Sequence, residues 1–212
     1  MNKIVKWTLV AFGIFILIAI VWFVSLISAF GVFDKVYSPD DLKASFQEKK
    51  TEIYELKHYF NKIVPKNRFV EIEFSSDHEL ARFGIKALDS TAGDITEPMF
   101  LEWDLSTETE KMDSLIKPMG WSRATLAELK EKLDNAGCIQ IESGEPTKIG
   151  FKRSGMGFYF FNVFDNPMPD SLKSNYDEMC THIYVDPKLV LEYGGGAVGP
   201  QCFAEKIQST NK

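Results

Sequence analysis

The chain has 212 residues, with 24 Lys and Arg against 30 Asp and Glu, a formal net charge of −6 and 45 % apolar residues. That apolar fraction excludes disordered and fibrous classes. The acidic balance argues against nucleic acid, whose phosphates need clustered Lys and Arg.

From Trp7 to Phe33 the run WTLVAFGIFILIAIVWFVSLISAFGVF has no charged residue. About 20 apolar residues suffice to cross the hydrocarbon core, so the pattern predicts a single transmembrane helix over 7–33. Trp7 stands where an interfacial anchor would. A cleaved leader has an apolar stretch of only about 7–15 residues and small residues before the cut. Cleavage after Ala29 would put Ile27 at such a position, so an uncleaved signal-anchor is preferred. Lys3 and Lys6 precede the span, and Asp34, Lys35, Asp40 and Asp41 follow it. The positive-inside rule then predicts residues 1–6 in the cytoplasm and the rest outside. The outer part has no N-x-[ST] sequon, which leans towards a bacterial inner membrane with the domain in the periplasm.

Residues 38–64 read as one long amphipathic helix beside the membrane. Ser38 suits the N-cap, Pro39 the first turn, and Asp40 and Asp41 the positive dipole end. Pro65 stops it. Leu42, Phe46, Lys49, Ile53, Leu56, Phe60 and Ile63 form a stripe at steps of four and three. Such a stripe packs on the domain's own sheet or pairs two copies as a coiled coil, giving a homodimer through residues 42–63.

Residues 66–204 are expected to form an α+β domain with an antiparallel or mixed sheet and two or three packed helices, followed by a tail over 205–212. In RFVEIEF, Val70, Ile72 and Phe74 face one way, and Glu71 and Glu73 belong to a solvated face. ELARFGIKAL suits a hairpin partner and MFLEW a further strand. Thr107-x-x-Glu110 and Thr125-x-x-Glu128 fit capping boxes, with the second helix ending at Gly137. CIQIE and TKIGFKR flank the turn Ser143-Gly144-Glu145-Pro146. GFYFFNVF is apolar on both faces, and CTHIYV and LVLEY pair across Asp186-Pro187-Lys188. The strands do not alternate with helices as βαβ units do.

Gly194, Gly196 and Gly199 have the G-x-G-x-x-G spacing of a dinucleotide loop, but the chain ends too soon for the next strand and its acid. Pro200 and Gln201 occupy the P-loop positions that need Lys and Ser or Thr. Neither nucleotide nor any other cofactor is expected. Gly194, Gly195, Gly196 and Gly199 instead read as a flexible turn or a partner-facing loop. Of three cysteines, Cys180 and Cys202 are the preferred disulfide, which would fasten that loop to the preceding hairpin. Cys180 and His182 share a strand face, but two such groups do not make a zinc site. Arg153, Phe158, Tyr159, Phe160 and Phe161 read as a central strand covered on both sides, or as an aromatic groove with Arg153 at its rim.

No catalytic or metal site is expected. The composite reading is a membrane-anchored extracytoplasmic binding or accessory domain, of an immunity type or a membrane-complex subunit, with a protein or envelope-component partner. The alternative is an envelope hydrolase or transferase.

Overall fold

The computed structural model describes residues 3–29, 34–88, 100–155, 157–195 and 199–210, and in the first helix the side chains of Trp7 and of residues 12–28. That helix, α1, spans Lys3–Ala29. Among its described side chains the large apolar ones are exposed, from 40 % at Leu26 to 73 % at Trp7, except Ile27, which is half-buried. Among the described residues no helix is long and apolar enough to cross a membrane. The continuous stretch of described side chains, 12–28, is shorter than the about 20 residues a span takes. Residues 30–33 of the expected span lie outside the described residues.

The helix expected over 38–64 is two: α2 (Pro39–Glu48) and α3 (Lys50–Ile63). Ser38 caps α2, accepting from the Asp41 amide while the Asp41 carboxylate accepts from the Ser38 amide. At Lys49 the backbone leaves helical geometry (φ −108°, ψ 18°), although Lys49 N still donates to Ser45 O and Ile53 N to Lys49 O. This kink takes the one polar member out of the stripe and lets both segments follow the sheet. Leu42, Phe46, Ile53, Leu56 and Phe60 are buried to 1 % exposure or less in the domain's own core. The stripe is therefore not free to form the coiled-coil dimer expected through residues 42–63.

The domain is α+β. Eight strands, β1 (Arg68–Ser76), β2 (Glu79–Ala87), β3 (Phe100–Ser106), β4 (Gln140–Glu142), β5 (Thr147–Ser154), β6 (Gly157–Val163), β7 (His182–Asp186) and β8 (Leu189–Gly194), form one antiparallel sheet. Its order is β3-β2-β1-β4-β5-β6-β8-β7. The remaining helices are α4 (Glu110–Ile116), with a 3-10 turn at Lys117–Met119, α5 (Arg123–Asn135), α6 (Asp170–Glu178) and α7 (Ala204–Thr210). The last of these occupies the stretch expected as a tail.

One sheet face carries Val70, Ile72, Leu80, Phe83, Ile141, Ile149, Phe161 and Leu191 and packs on α2, α3, α4 and α5 in one core. Leu126, Leu129 and Leu133 of α5 belong to it. The helix starts differ from those expected. Thr109, not Thr107, caps α4, and Ser122 caps α5 three residues before Thr125, which answers it at the third helical position. Gly137, just past the C-cap Ala136 of α5, has φ +66°, as a left-handed C-terminus requires. On the opposite face, Phe164, Met168 and Val190, with Tyr176 of α6 and Tyr184, form a smaller cluster over β7 and β8.

Candidate functional site

The sheet face away from α2 to α5 is charged across its centre. Strand register aligns Glu73 with Arg82 and Gln140, Glu71 with Glu142, Glu142 with Lys148, and Glu192 with His182. Arg82 Nη2 donates to Glu71 Oε2 at 2.6 Å, and Gln140 Nε2 donates to Glu71 Oε1 at 2.9 Å and Glu142 Oε1 at 3.0 Å. Lys148 Nζ donates to Glu192 Oε1 at 2.7 Å, and Asn162 Nδ2 to Glu192 Oε2 at 2.9 Å. Arg153 holds Glu73 with a fork of two bonds, 2.8 and 2.7 Å.

Glu71 and Glu73 are each 2 % exposed, so the face they occupy is not the solvated one expected from their alternation. Period two assigns a face but does not say what lies over it. A carboxylate this deeply buried survives only when paired and hydrogen-bonded, and Arg82, Gln140 and Arg153 supply those partners from other strands. Rings complete the layer: Lys148 Nζ lies 4.1 Å from the Phe160 ring centre, and the Arg153 guanidinium 5.0 Å from that of Phe158.

The ladder divides its acids. Burial pushes Glu142 up to about 7, with the charges of Glu71 and Glu192 adding to the rise and Lys148 opposing it. Burial also raises Glu71, although Arg82 pulls it back. Burial alone would raise Glu192 as well, but hydrogen bonds and charge from His182, Lys148 and Asn162 bring it down to about 2. A cleft of about 540 Å³ lies elsewhere, bounded by Asp77, His78, Glu108, Arg123, Lys130 and Asp134.

Beside the ladder lies an edge of the sheet. Among the described residues strand β3 pairs only with β2, whereas the other edge strand, β7, is packed by α6. Phe100, Leu101 and Trp103 are 42 %, 37 % and 54 % exposed. Trp103 faces the ladder side, with the Arg82 guanidinium 5.3 Å from its ring. Phe100 faces the helix side and borders a cleft of about 220 Å³ with Ile85, Leu115, Pro118 and Met119. Asp104 has φ +50°, which interrupts the pairing with β2 between Trp103 and Leu105.

The other sites expected from sequence are placed as follows. Phe158, Tyr159, Phe160 and Phe161 are all 3 % exposed or less, so they form the covered central strand and not an open groove. Arg153 belongs to the Glu73 pair. The Cys180 and Cys202 sulfurs are bonded, with 4.8 Å between their Cα atoms, which takes Cys180 out of any pairing with His182. Cys138 is a buried free thiol, and burial pushes it up to about 12. Gly195 and Gly199 both have φ +71°. A Cβ on Gly194 would lie 3.2 Å from Pro200 Cα, and Gln201 N donates to Tyr193 O, so the loop folds back on β8. Gly196 lies outside the described residues. Among the described residues no helix opens at these glycines, since α7 begins at Ala204. Among the described residues no cluster of His, Cys, Asp and Glu is arranged to hold a metal ion.

Glu142, Lys148, Glu192 and the β3 edge were not singled out from sequence. Their signal, charges at alternate positions of separate strands, becomes a site only through the strand order. No family model, no curated protein and no solved structure matches this chain.

Proposed function

We propose that the protein is a single-pass, membrane-anchored extracytoplasmic domain that binds a protein partner, as an inhibitor or an accessory subunit does, and is not an enzyme. The sequence supports the anchor: residues 7–33 carry no charge over a run longer than the about 20 residues a crossing takes. A helix apolar all round, with its large side chains exposed, suits lipid better than water. The Cys180–Cys202 bond supports an oxidising compartment.

The observation that carries the binding function is the β3 edge. An edge strand with exposed large apolar side chains is a template for strand addition, and soluble proteins normally blunt such edges with charge, proline or cover. An extended partner segment paired with β3 would find Leu101 and Trp103 on one face, and Phe100 with its adjoining cleft on the other. Main-chain bonds would supply affinity, and alternate side chains specificity.

A photoreactive residue placed at Leu101 or Trp103 in the full chain, in native membranes, tests this. A discrete adduct from either position, lost when the opposite β3 position is changed to Asp, is expected. Efficient adducts from α6 or α7 with none from β3 would overturn it. The divided pair Glu142 and Glu192 favours the second reading, an envelope hydrolase. Partner capture unaffected by Leu101→Asp, together with a hydrolytic activity abolished by both Glu142→Gln and Glu192→Gln, would put that reading first.

A further inference from the structure

Residues 34–37, just before α2, form a strap that is built into the domain. The Asp34 carboxylate accepts from Gly155 N at 3.0 Å, in the turn between β5 and β6. Tyr37 N donates to the Tyr159 hydroxyl at 3.3 Å. The Tyr37 ring meets Phe151 and Tyr159 edge-on, at centre distances of 5.2 and 5.6 Å. Lys35 lies over the same ring, 4.7 Å from its centre. From Ala29, the last residue of α1, to Asp34 is five residues, which reach at most about 18 Å when fully extended. The β5–β6 turn is therefore tied to within that distance of the end of α1.

Strand register brings further elements to the same end of the sheet. Gly194, at the end of β8, lies opposite Phe158 at the start of β6, and His182 starts β7 beside Glu192. The Cys180–Cys202 bond joins the entry to β7 to the segment after β8. A cleft of about 260 Å³ joins the strap to that segment, bounded by Val36, Tyr37, Tyr193, Cys202, Phe203 and Glu205. Among the described residues, apolar side chains exposed at this end include Val36 at 73 %, Met179 at 43 % and Ile207 at 49 %.

We infer that this end of the domain is a bilayer-contact surface. The strap Asp34–Tyr37 holds the domain in one orientation, and Val36, Met179 and Ile207 rest in the headgroup layer around the Cys180–Cys202 bond. The inference rests on the anchor reading above. It follows from chain length: with α1 ending in the headgroup region, an 18 Å tether docked at Gly155 leaves the domain no room to turn this end away. It also explains exposed apolar side chains near the Cys180–Cys202 bond, since such side chains lie comfortably at a membrane–water boundary. Lys66, Glu145 and Asp165 at the other end of the sheet then face away.

The test uses the full chain in phosphatidylethanolamine–phosphatidylglycerol vesicles containing a lipid with a nitroxide on its headgroup. An environment-sensitive fluorophore is attached at Glu205→Cys in one sample and at Lys66→Cys in another, and only protein that floats with the vesicles is read. Quenching several-fold stronger at position 205 than at 66 is expected, and Asp34→Ala combined with Val36→Asp should shrink the contrast. Co-flotation with equal quenching, or with stronger quenching at 66, would overturn the contact surface while leaving the anchor intact. An unchanged contrast in the double variant would overturn the strap as its cause. Protein that fails to float would overturn the anchor reading, and the surface with it.

Discussion

Lys57 Nζ lies 2.9 Å from Asp165 Oδ1, although the lysine side chain has no exposed surface and the aspartate is nearly half exposed. The same ammonium donates to Val163 O at 2.7 Å and to Glu145 Oε2 at 3.3 Å. α3 is thereby fastened to the β4–β5 turn and to the end of β6 through one cation. This hydrogen bond from Lys57 leads the interactions that hold Asp165 below the usual carboxylate range.

Replacing Lys57 with Met should keep the apolar stem and lose all three bonds to Asp165, Glu145 and Val163. A loss of about 2–4 kcal/mol is expected in denaturant unfolding of the full chain in detergent. Asp165→Asn should cost less, because Glu145 and Val163 still receive the ammonium. Because Asp165 is depressed in the fold, its contribution is complete above its unfolded value near 3.8 and fades as pH falls below it. The stability difference between wild type and Asp165→Asn should therefore shrink on acidification.

Glu142 has the opposite sign. Its folded value of about 7 lies above the ordinary 4.5, so the fold favours the protonated acid. Its contribution is present below pH 4.5 and is lost as pH rises through 7. Glu142→Gln should remove that dependence and raise stability at pH 8 relative to wild type, by on the order of 2 kcal/mol. Thermal unfolding of both proteins across this interval measures the effect. A larger loss for wild type at the acid end would contradict it.

A Cβ on Gly150 would fall 2.6 Å from Gln140 Cβ and 2.7 Å from Phe158 Cζ. Gly150→Ala should destabilise by about 1–3 kcal/mol, because a filled layer has no space for the methyl. Combining it with Phe158→Leu should recover part of the loss, as double-mutant unfolding would reveal.

Cys180 and Cys202 are 22 residues apart, and a closed loop of that length contributes on the order of 3 kcal/mol through the unfolded state. Reduction should lower the unfolding midpoint, and Cys202→Ser should match the reduced wild type. Peptide mapping without reductant should give the 180–202 pair, and Cys138 should label only after unfolding.

Much of the scaffold is readable from local pattern. Ser38 and Pro39 start a helix, Gly137 ends one, and the two-faced apolar run at 158–161 marks a central strand, each by chemistry within a few residues. The misreadings all depend on distant partners. Nothing near Glu71 in the chain shows that Gln140 and Arg82 will enclose it. Thr107-x-x-Glu110 has the letters of a capping box, yet Thr109, with Met112 at the third position after it, is the cap. Leu42 to Phe60 have the same spacing whether the facing surface is a second copy or the domain's own sheet. Phe158 and Phe160 suggest a groove until Lys148 and Arg153 are seen to lie over them.

The ladder on the outer face also guards the fold against error. Strand pleating reverses sides at every residue, so a slip of β1 by one position would drive Glu71 and Glu73 into the oily interior while Val70 and Ile72 met guanidinium groups. Such a misthreaded sheet is penalised on both surfaces at once. Acids that could not be read as a site from the chain alone thus act as a check on correct assembly.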